Sequence, residues 1–168
     1  MNGFSFKPLK PESINTYLQE MYDILHKNMN RIAPTGNTYE EDKAMWTSCV
    51  QPALEQGGRN ITLIFKGNDL VGFFQYYVNT TTFMMDEIQF KSEYQGSGLF
   101  TELYRYLIKT IPAETQYTEA YANKENLKSQ AILKHLGLEI IGENKDGNSY
   151  HFRGKYRKLI ERYKDSYR

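Results

Sequence analysis

Asp86-Glu87-Ile88-Gln89-Phe90-Lys91-Ser92-Glu93-Tyr94-Gln95-Gly96-Ser97-Gly98-Leu99-Phe100-Thr101-Glu102-Leu103 is the stretch whose reading decides the fold. Phe83 to Phe90 is rich in aromatic and apolar residues and predicts a strand. Leu99, Leu103, Tyr106 and Leu107 recur at helical spacing and predict a helix, which Pro112 stops. Gly96 and Gly98 lie between the two. First-turn amides of a helix have no internal partner and carry the positive end of its dipole. A glycine turn that lets an anion approach them is therefore a phosphate site, and here the amides of Gly96 to Thr101 suit a diphosphate. Taken alone, glycines at a strand-to-helix turn more often serve only the turn. Two other phosphate motifs are excluded by position. A dinucleotide fingerprint starting at Gly96 needs glycine where Thr101 stands, and a P-loop needs a Gly-Lys-Ser/Thr that is absent.

Upstream, Phe4-Ser5-Phe6 alternates as a short strand, and Ile14, Tyr17, Leu18, Met21, Ile24 and Leu25 form one helical face. Thr38 with Glu41 makes a capping box ahead of a second helix through Met45, Trp46, Cys49, Val50 and Ala53. Pro52 should kink or fray that helix, and Gly57-Gly58 ends it. Ile61 to Phe65, Leu70 to Val78 and Phe83 to Phe90, with tight turns between them, predict an antiparallel meander. Downstream come a strand over Tyr117 to Ala122 and a helix over Asn126 to Leu136 closed by Gly137. Strands at Leu138 to Gly142 and Tyr150 to Tyr156 flank an Asp146-Gly147 turn. Tyr156, Leu159, Ile160, Tyr163 and Tyr167 then share a stripe on a terminal helix. The order β-α-α-β-β-β-α-β-α-β-β-α, without repeat or linker, predicts one mixed α/β domain over residues 1–168. Its core spans about 4–156, and an extra amphipathic helix covers about 156–167.

A second constellation is Asn126-Leu127-Lys128-Ser129 with Gly137-Leu138. Asn126, Ser129 and Leu133 share one helical face, and by themselves they read as an N-cap and an ordinary amphipathic helix. Together with Gln95-Gly96-Ser97-Gly98-Leu99-Phe100, however, this segment resembles the GNAT superfamily of acyl-CoA-dependent N-acyltransferases. There a Gln/Arg-x-x-Gly-x-Gly/Ala turn holds the CoA diphosphate, and an Asn-x-x-Ala/Ser helix flanks the pantetheine arm. Within these two motifs, Phe100 replaces a small residue and Leu138 replaces Phe.

The resemblance implies a mostly antiparallel central sheet flanked by helices. It also implies acetyl-CoA as co-substrate, held by Ile88, Gln89, Phe90, Gln95, Gly96, Ser97, Gly98, Leu99, Phe100, Thr101, Asn126 and Ser129. The strand Ile88 to Phe90 would pair with pantetheine, and its amides could polarise the thioester carbonyl. The activity implied is N-acetyl transfer by direct attack of an amine on the thioester, with a carboxylate or water first taking the ammonium proton. Asp86 and Glu87 are the candidates; as neighbours on a strand they face opposite ways, and being solvated or paired explains either equally well. Many family members protonate the departing thiolate with a Tyr seven residues after the motif Asn, where this chain has Leu133. Tyr121 is a substitute candidate, although with 14 tyrosines in the chain it also reads as core packing. His135 is expected on the exposed side of its helix.

Composition narrows the partners. At 40% hydrophobic, 14% aromatic and 24% charged, the chain can fill a core and lacks the signature of disorder. A net charge of +1 argues against a protein whose whole surface grips nucleic acid, so nucleic acid is not an expected partner. The lone Cys49 permits no internal disulfide and no multi-cysteine zinc site; no metal is expected. Without a signal-like N-terminus or a long apolar run, a cytoplasmic protein away from membranes is expected. Arg157, Lys158, Arg162, Lys164 and Arg168 outnumber Glu161 and Asp165 on the terminal helix, which reads as docked on the domain or on a second subunit of a homodimer. Two other function classes stay open. Leu133 motivates a CoA-binding or regulatory module that has lost its chemistry, and the basic helix motivates an RNA- or protein-interaction role. The acceptor site is expected from the loops Met29 to Asn37 and Lys145 to Asn148. Glu40, Glu41, Asp42, Asp86 and Glu87 point to a polyamine-like or lysine-like amine, unless the first three merely complement a helix dipole.

Overall fold

The computed structural model describes residues 3–32 and 34–164. Its elements follow the expected order: β1 (Phe4–Pro8), α1 (Ile14–Ile32), α2 (Tyr39–Glu55), β2 (Asn60–Lys66), β3 (Asp69–Asn79) and β4 (Thr82–Phe90), then α3 (Leu99–Thr110), β5 (Tyr117–Asn123), α4 (Leu127–His135), β6 (Glu139–Glu143), β7 (Ser149–Lys155) and α5 (Tyr156–Tyr163). Short 3-10 turns precede α1 and follow β4. The sheet order is β1-β2-β3-β4-β5-β7-β6. β4 and β5 run parallel, whereas β1–β2, β5–β7 and β6–β7 are antiparallel. The chain packs as two compact units, one of residues up to Gln75 with Glu87–Leu99, the other of Tyr76–Asp86 and the chain from Phe100 on.

In the first unit, Ile14, Met21 and Ile24 of α1 and Val50 and Leu54 of α2 bury against Ile61, Leu63 and Phe65 of β2 and Leu70 and Phe73 of β3. Thr38 and Glu41 form both halves of the capping box. Pro52 does not end α2, which continues to Glu55. Pro52 is exposed and lies in the last turn of α2, where the helix has only three residues left to run. Gly72 is needed for close approach: a Cβ there would lie 2.6 Å from both the Gln89 carbonyl oxygen and the Phe90 Cβ.

In the second unit, β5 pairs with β7 from Tyr117↔Lys155 to Asn123↔Ser149, and β6–β7 contains a register shift between Ile140 and Gly142. Leu103, Tyr104 and Leu107 of α3 are buried with Phe83, Met85 and Phe152. Gly137 ends α4 at φ +94°, the left-handed cap its sequence position suggests. α5 docks within this unit: Tyr156, Leu159 and Tyr163 are buried, and Tyr163 stacks on Tyr104 at 5.0 Å. The helix ends at Tyr163, and Asp165, Tyr167 and Arg168 of the expected longer helix lie outside the described residues.

Candidate active site

The turn ahead of α3 adopts backbone that its glycines permit. Gly96 and Gly98 have φ of +78° and +87°, in the left-handed region where a side chain is strained, and no protein atom lies within 4 Å of where their Cβ atoms would stand. Gln95, Gly96, Ser97 and Gly98 are exposed and Leu99 is buried, so the helix starts anchored while the turn faces open space. One offered amide is already used: Ser97 N–H and its hydroxyl both donate to the Tyr94 carbonyl.

Glu87 to Phe90 is held from both α-helices of its unit. Asn28, polar on the otherwise apolar face of α1 and only 8% exposed, donates through Nδ2 to Gln89 Oε1 and to the Phe90 carbonyl, each at 3.0 Å. Glu87 Oε1 accepts from Trp46 Nε1 of α2 at 3.1 Å and from the buried Gln75 Nε2 of β3 at 2.7 Å. Arg59 in turn donates to Gln75 Oε1 at 3.4 Å. Ile88 and Gln89 are half-buried.

Trp46 also walls a pocket of about 190 Å³ between α1 and α2, which Tyr22, His26 and Asp42 line as well. Tyr22 meets Trp46 at 5.6 Å between ring centres, stacks on His26 at 5.8 Å and meets Tyr39 edge-on at 5.2 Å. Asp42 accepts from Thr35 Oγ1 at 2.6 Å and Asn37 Nδ2 at 3.1 Å, and these two donors hold its carboxyl below the usual carboxylate range. Burial, then Asp42, Asp23 and Glu40, push the Tyr22 hydroxyl upward. A second cavity of about 300 Å³ beside α1 mixes signs, with Glu20, Asp23 and Glu93 against Lys27 and Lys91.

Over residues 5–139 the sequence matches the model of the acetyltransferase (GNAT) domain. The chain belongs to the GNAT acetyltransferases. No curated protein matches it. Among solved structures, an acetyltransferase from Streptococcus agalactiae 2603 aligns at TM-score 0.72 and 12% identity, covering 92% of this chain and 99% of that one. An N-acetyltransferase from Thermoplasma acidophilum in complex with coenzyme A aligns at 0.64 and 15%, covering 91% and 99%. The spermidine N-acetyltransferase from Vibrio cholerae, in complex with CoA and spermine, aligns at 0.65 and 12%, covering 95% and 99%. At these identities the likeness is one of fold.

For this GNAT chain the first unit brings together Glu87, Ile88, Gln89, Phe90, Gln95, Gly96, Ser97, Gly98 and Leu99. Asp86, Phe100, Thr101, Tyr121, Asn126 and Ser129 belong to the second unit. Asp86 is exposed. Phe100 stacks parallel on Tyr104 at 5.7 Å, and Thr101 is half-buried on the first turn of α3. Asn126 is the N-cap of α4, its Oδ1 accepting from Ser129 N–H at 3.1 Å, the capping use that its sequence position also suggested. Leu133 is 8% exposed. Tyr121 is not a core residue: it is 47% exposed and stacks on His151 at 4.4 Å. His151 Nε2 lies 2.6 Å from Glu119 Oε1, while Glu119 Oε2 is 3.3 Å from Arg153 Nε. His135 is exposed, as expected, and contacts Arg162 of α5.

Sequence reading missed Asn28, Trp46 and Gln75 as site residues. Asn28 had a readable signal, since it falls four residues after Ile24 and seven after Met21 on the apolar face of α1. Gln75 sits in a run of buried residues of β3, where a polar side chain must find a partner. Trp46 gave no signal beyond its place in the apolar pattern.

Proposed function

We propose that this protein transfers an acetyl group from acetyl-CoA to a small amine. The observation that supports it most is the pair Gly96 and Gly98, both left-handed and open on the side where a ligand would approach, at the entrance to α3 in a GNAT chain. In this reading the diphosphate lies on the turn from Gln95 to Thr101, using amides other than that of Ser97. The pantetheine arm runs along Ile88, Gln89 and Phe90. Because Asn28 already occupies the Phe90 carbonyl, pairing with the arm falls chiefly on Ile88 and Gln89.

Glu87 is the carboxylate best suited to receive the ammonium proton, directly or through water. Two donors fix its Oε1, so its position is set before substrate arrives. The neutral amine then attacks the thioester carbon, the C–S bond breaks, CoA leaves as thiolate, and the second proton of the amine nitrogen passes to water or to the thiolate sulfur. A thiol of pKa about 8.5 needs no acid to leave, which makes Leu133 compatible with turnover.

Thiol release from acetyl-CoA, measured against a panel of amines, tests the reading. Turnover that requires an amine is the expected result; none with any amine sinks it. The turn is tested separately by Gly98→Ala. Since no protein atom would touch the new methyl, the substitution acts through backbone strain and lost ligand space. Calorimetry should show acetyl-CoA affinity falling about tenfold, the equivalent of the roughly 1–2 kcal/mol of left-handed strain. Unchanged affinity would remove the turn from the cofactor site.

A further inference from the structure

The pocket between α1 and α2 differs from its neighbour beside α1 in charge and in wall chemistry. At about 190 Å³ it is smaller than the roughly 300–1,000 Å³ of sites that swallow a whole drug-sized ligand, so it suits one headgroup on a short chain. Its lining has one carboxylate, one imidazole and no Lys or Arg, whereas the larger cavity has Lys27 and Lys91. Trp46 and Tyr22 supply aromatic wall, and a ring of this kind attracts a cation over its face. The carboxylate is preorganised: Thr35 and Asn37 each donate to a different oxygen of Asp42. The fields of Asp42, Asp23 and Glu40 all reach Tyr22, so the wall is electronegative even before a ligand enters. Trp46 then joins this pocket to the reaction strand, because its Nε1–H ends on Glu87.

We propose that this pocket holds a second, unreacted ammonium of the acceptor, paired with Asp42 and packed on Trp46 and Tyr22, so that the preferred substrate is a di- or polyamine and not a monoamine. This rests on the acetyltransferase reading, and it fixes the class of acceptor that the reading leaves open. Glu87 meets the amine that reacts and Asp42 the one that does not, with the width of an indole between them. The pairing also explains why the carboxylates near the start of α2 are unequal. Glu41 is used up in the capping box, whereas Asp42 lines the cavity.

Trp46 is the chain's single tryptophan, so its fluorescence reports on this pocket without requiring turnover. Titration of the whole protein with 1,4-diaminobutane should give a saturable change, about tenfold tighter than with 1-aminobutane, as expected for an added charge-assisted bond. The diamine should weaken as salt rises. In Asp42→Asn the diamine-to-monoamine ratio, both of affinities and of kcat/KM, should collapse toward one. Equal affinities for the two amines, or an undiminished ratio in a folded Asp42→Asn, would overturn the subsite and leave Asp42 as an organiser of the turn before α2. Should that variant not fold, salt-independent diamine binding to the unmodified protein would overturn it instead. Diamine-selective fluorescence without amine-dependent thiol release would keep the subsite while removing acetyl transfer. Turnover with no preference for diamines would do the reverse.

Discussion

Glu87 and Glu119 are both half-buried strand carboxylates that meet a ring nitrogen, yet the elements that hold them differ. Within the first unit, the Trp46 indole of α2 and the Gln75 carboxamide of β3 donate to Glu87 Oε1, and the Arg59 guanidinium donates to that same carboxamide. Within the second, Glu119 meets the His151 imidazole and the Arg153 guanidinium. Donors from two different elements hold a carboxylate in one position, whereas partners on one neighbouring strand tie two strands together. The first arrangement suits a group whose position is set before a substrate arrives. The second suits a cross-strand tie between β5 and β7, further covered by the Arg153 guanidinium over the Tyr117 ring at 3.9 Å.

The largest expected effect separates the two directly. Glu87→Gln keeps an oxygen for both donors and removes only the charge, so kcat should fall roughly 100-fold, the scale of a lost general base, while acetyl-CoA affinity holds. Glu119→Gln should leave kcat within about threefold, well inside the range of a lost structural contact. Matching losses in the two variants would break the comparison. Next in size, Arg153→Gln removes the ion pair and the ring contact together. About 1 kcal/mol of stability should go, visible as a melting temperature lower by roughly 2–4 °C, without a change in the amine preference. A changed preference would move Glu119 out of its structural role. The smallest effect lies in the second unit at alkaline pH. Burial pushes the Tyr156 hydroxyl from 10.0 up to about 12, and it has no hydrogen-bond partner among the described residues. With the folded value raised, stability is intact below pH 10 and declines as pH climbs toward 12, because the unfolded chain sheds that proton first. Denaturant unfolding of Tyr156→Phe should lose this decline and show equal or slightly higher stability at neutral pH. A decline that persists in the variant would assign it to another group.

Much of the fold was legible because it is written in short-range patterns. The Thr38–Glu41 box, the left-handed Gly137 and the turn at Gly96 and Gly98 each depend on residues a few positions apart, and the structure realises all three. The candidate site was legible in part. Its strand and turn came from contiguous sequence, but the choice between Asp86 and Glu87 did not, since strand parity says only that they face apart. Tyr121 misled for a related reason: alternation along β5 predicts two faces, and nothing local says which face is covered.

By itself, then, the sequence determined the order of elements, the family and the glycine turn before α3, because periodicity, capping and glycine backbone freedom are set by neighbours along the chain. Tertiary structure alone decided what holds Glu87. Trp46 reaches Glu87 across 41 positions and Asn28 reaches the Phe90 carbonyl across 62. Contacts so distant in sequence exist only once α1 and α2 are packed against the strands of their unit. The buried polar groups there, Asn28 and Gln75, must find partners when water is excluded, and that need selects the geometry around Glu87.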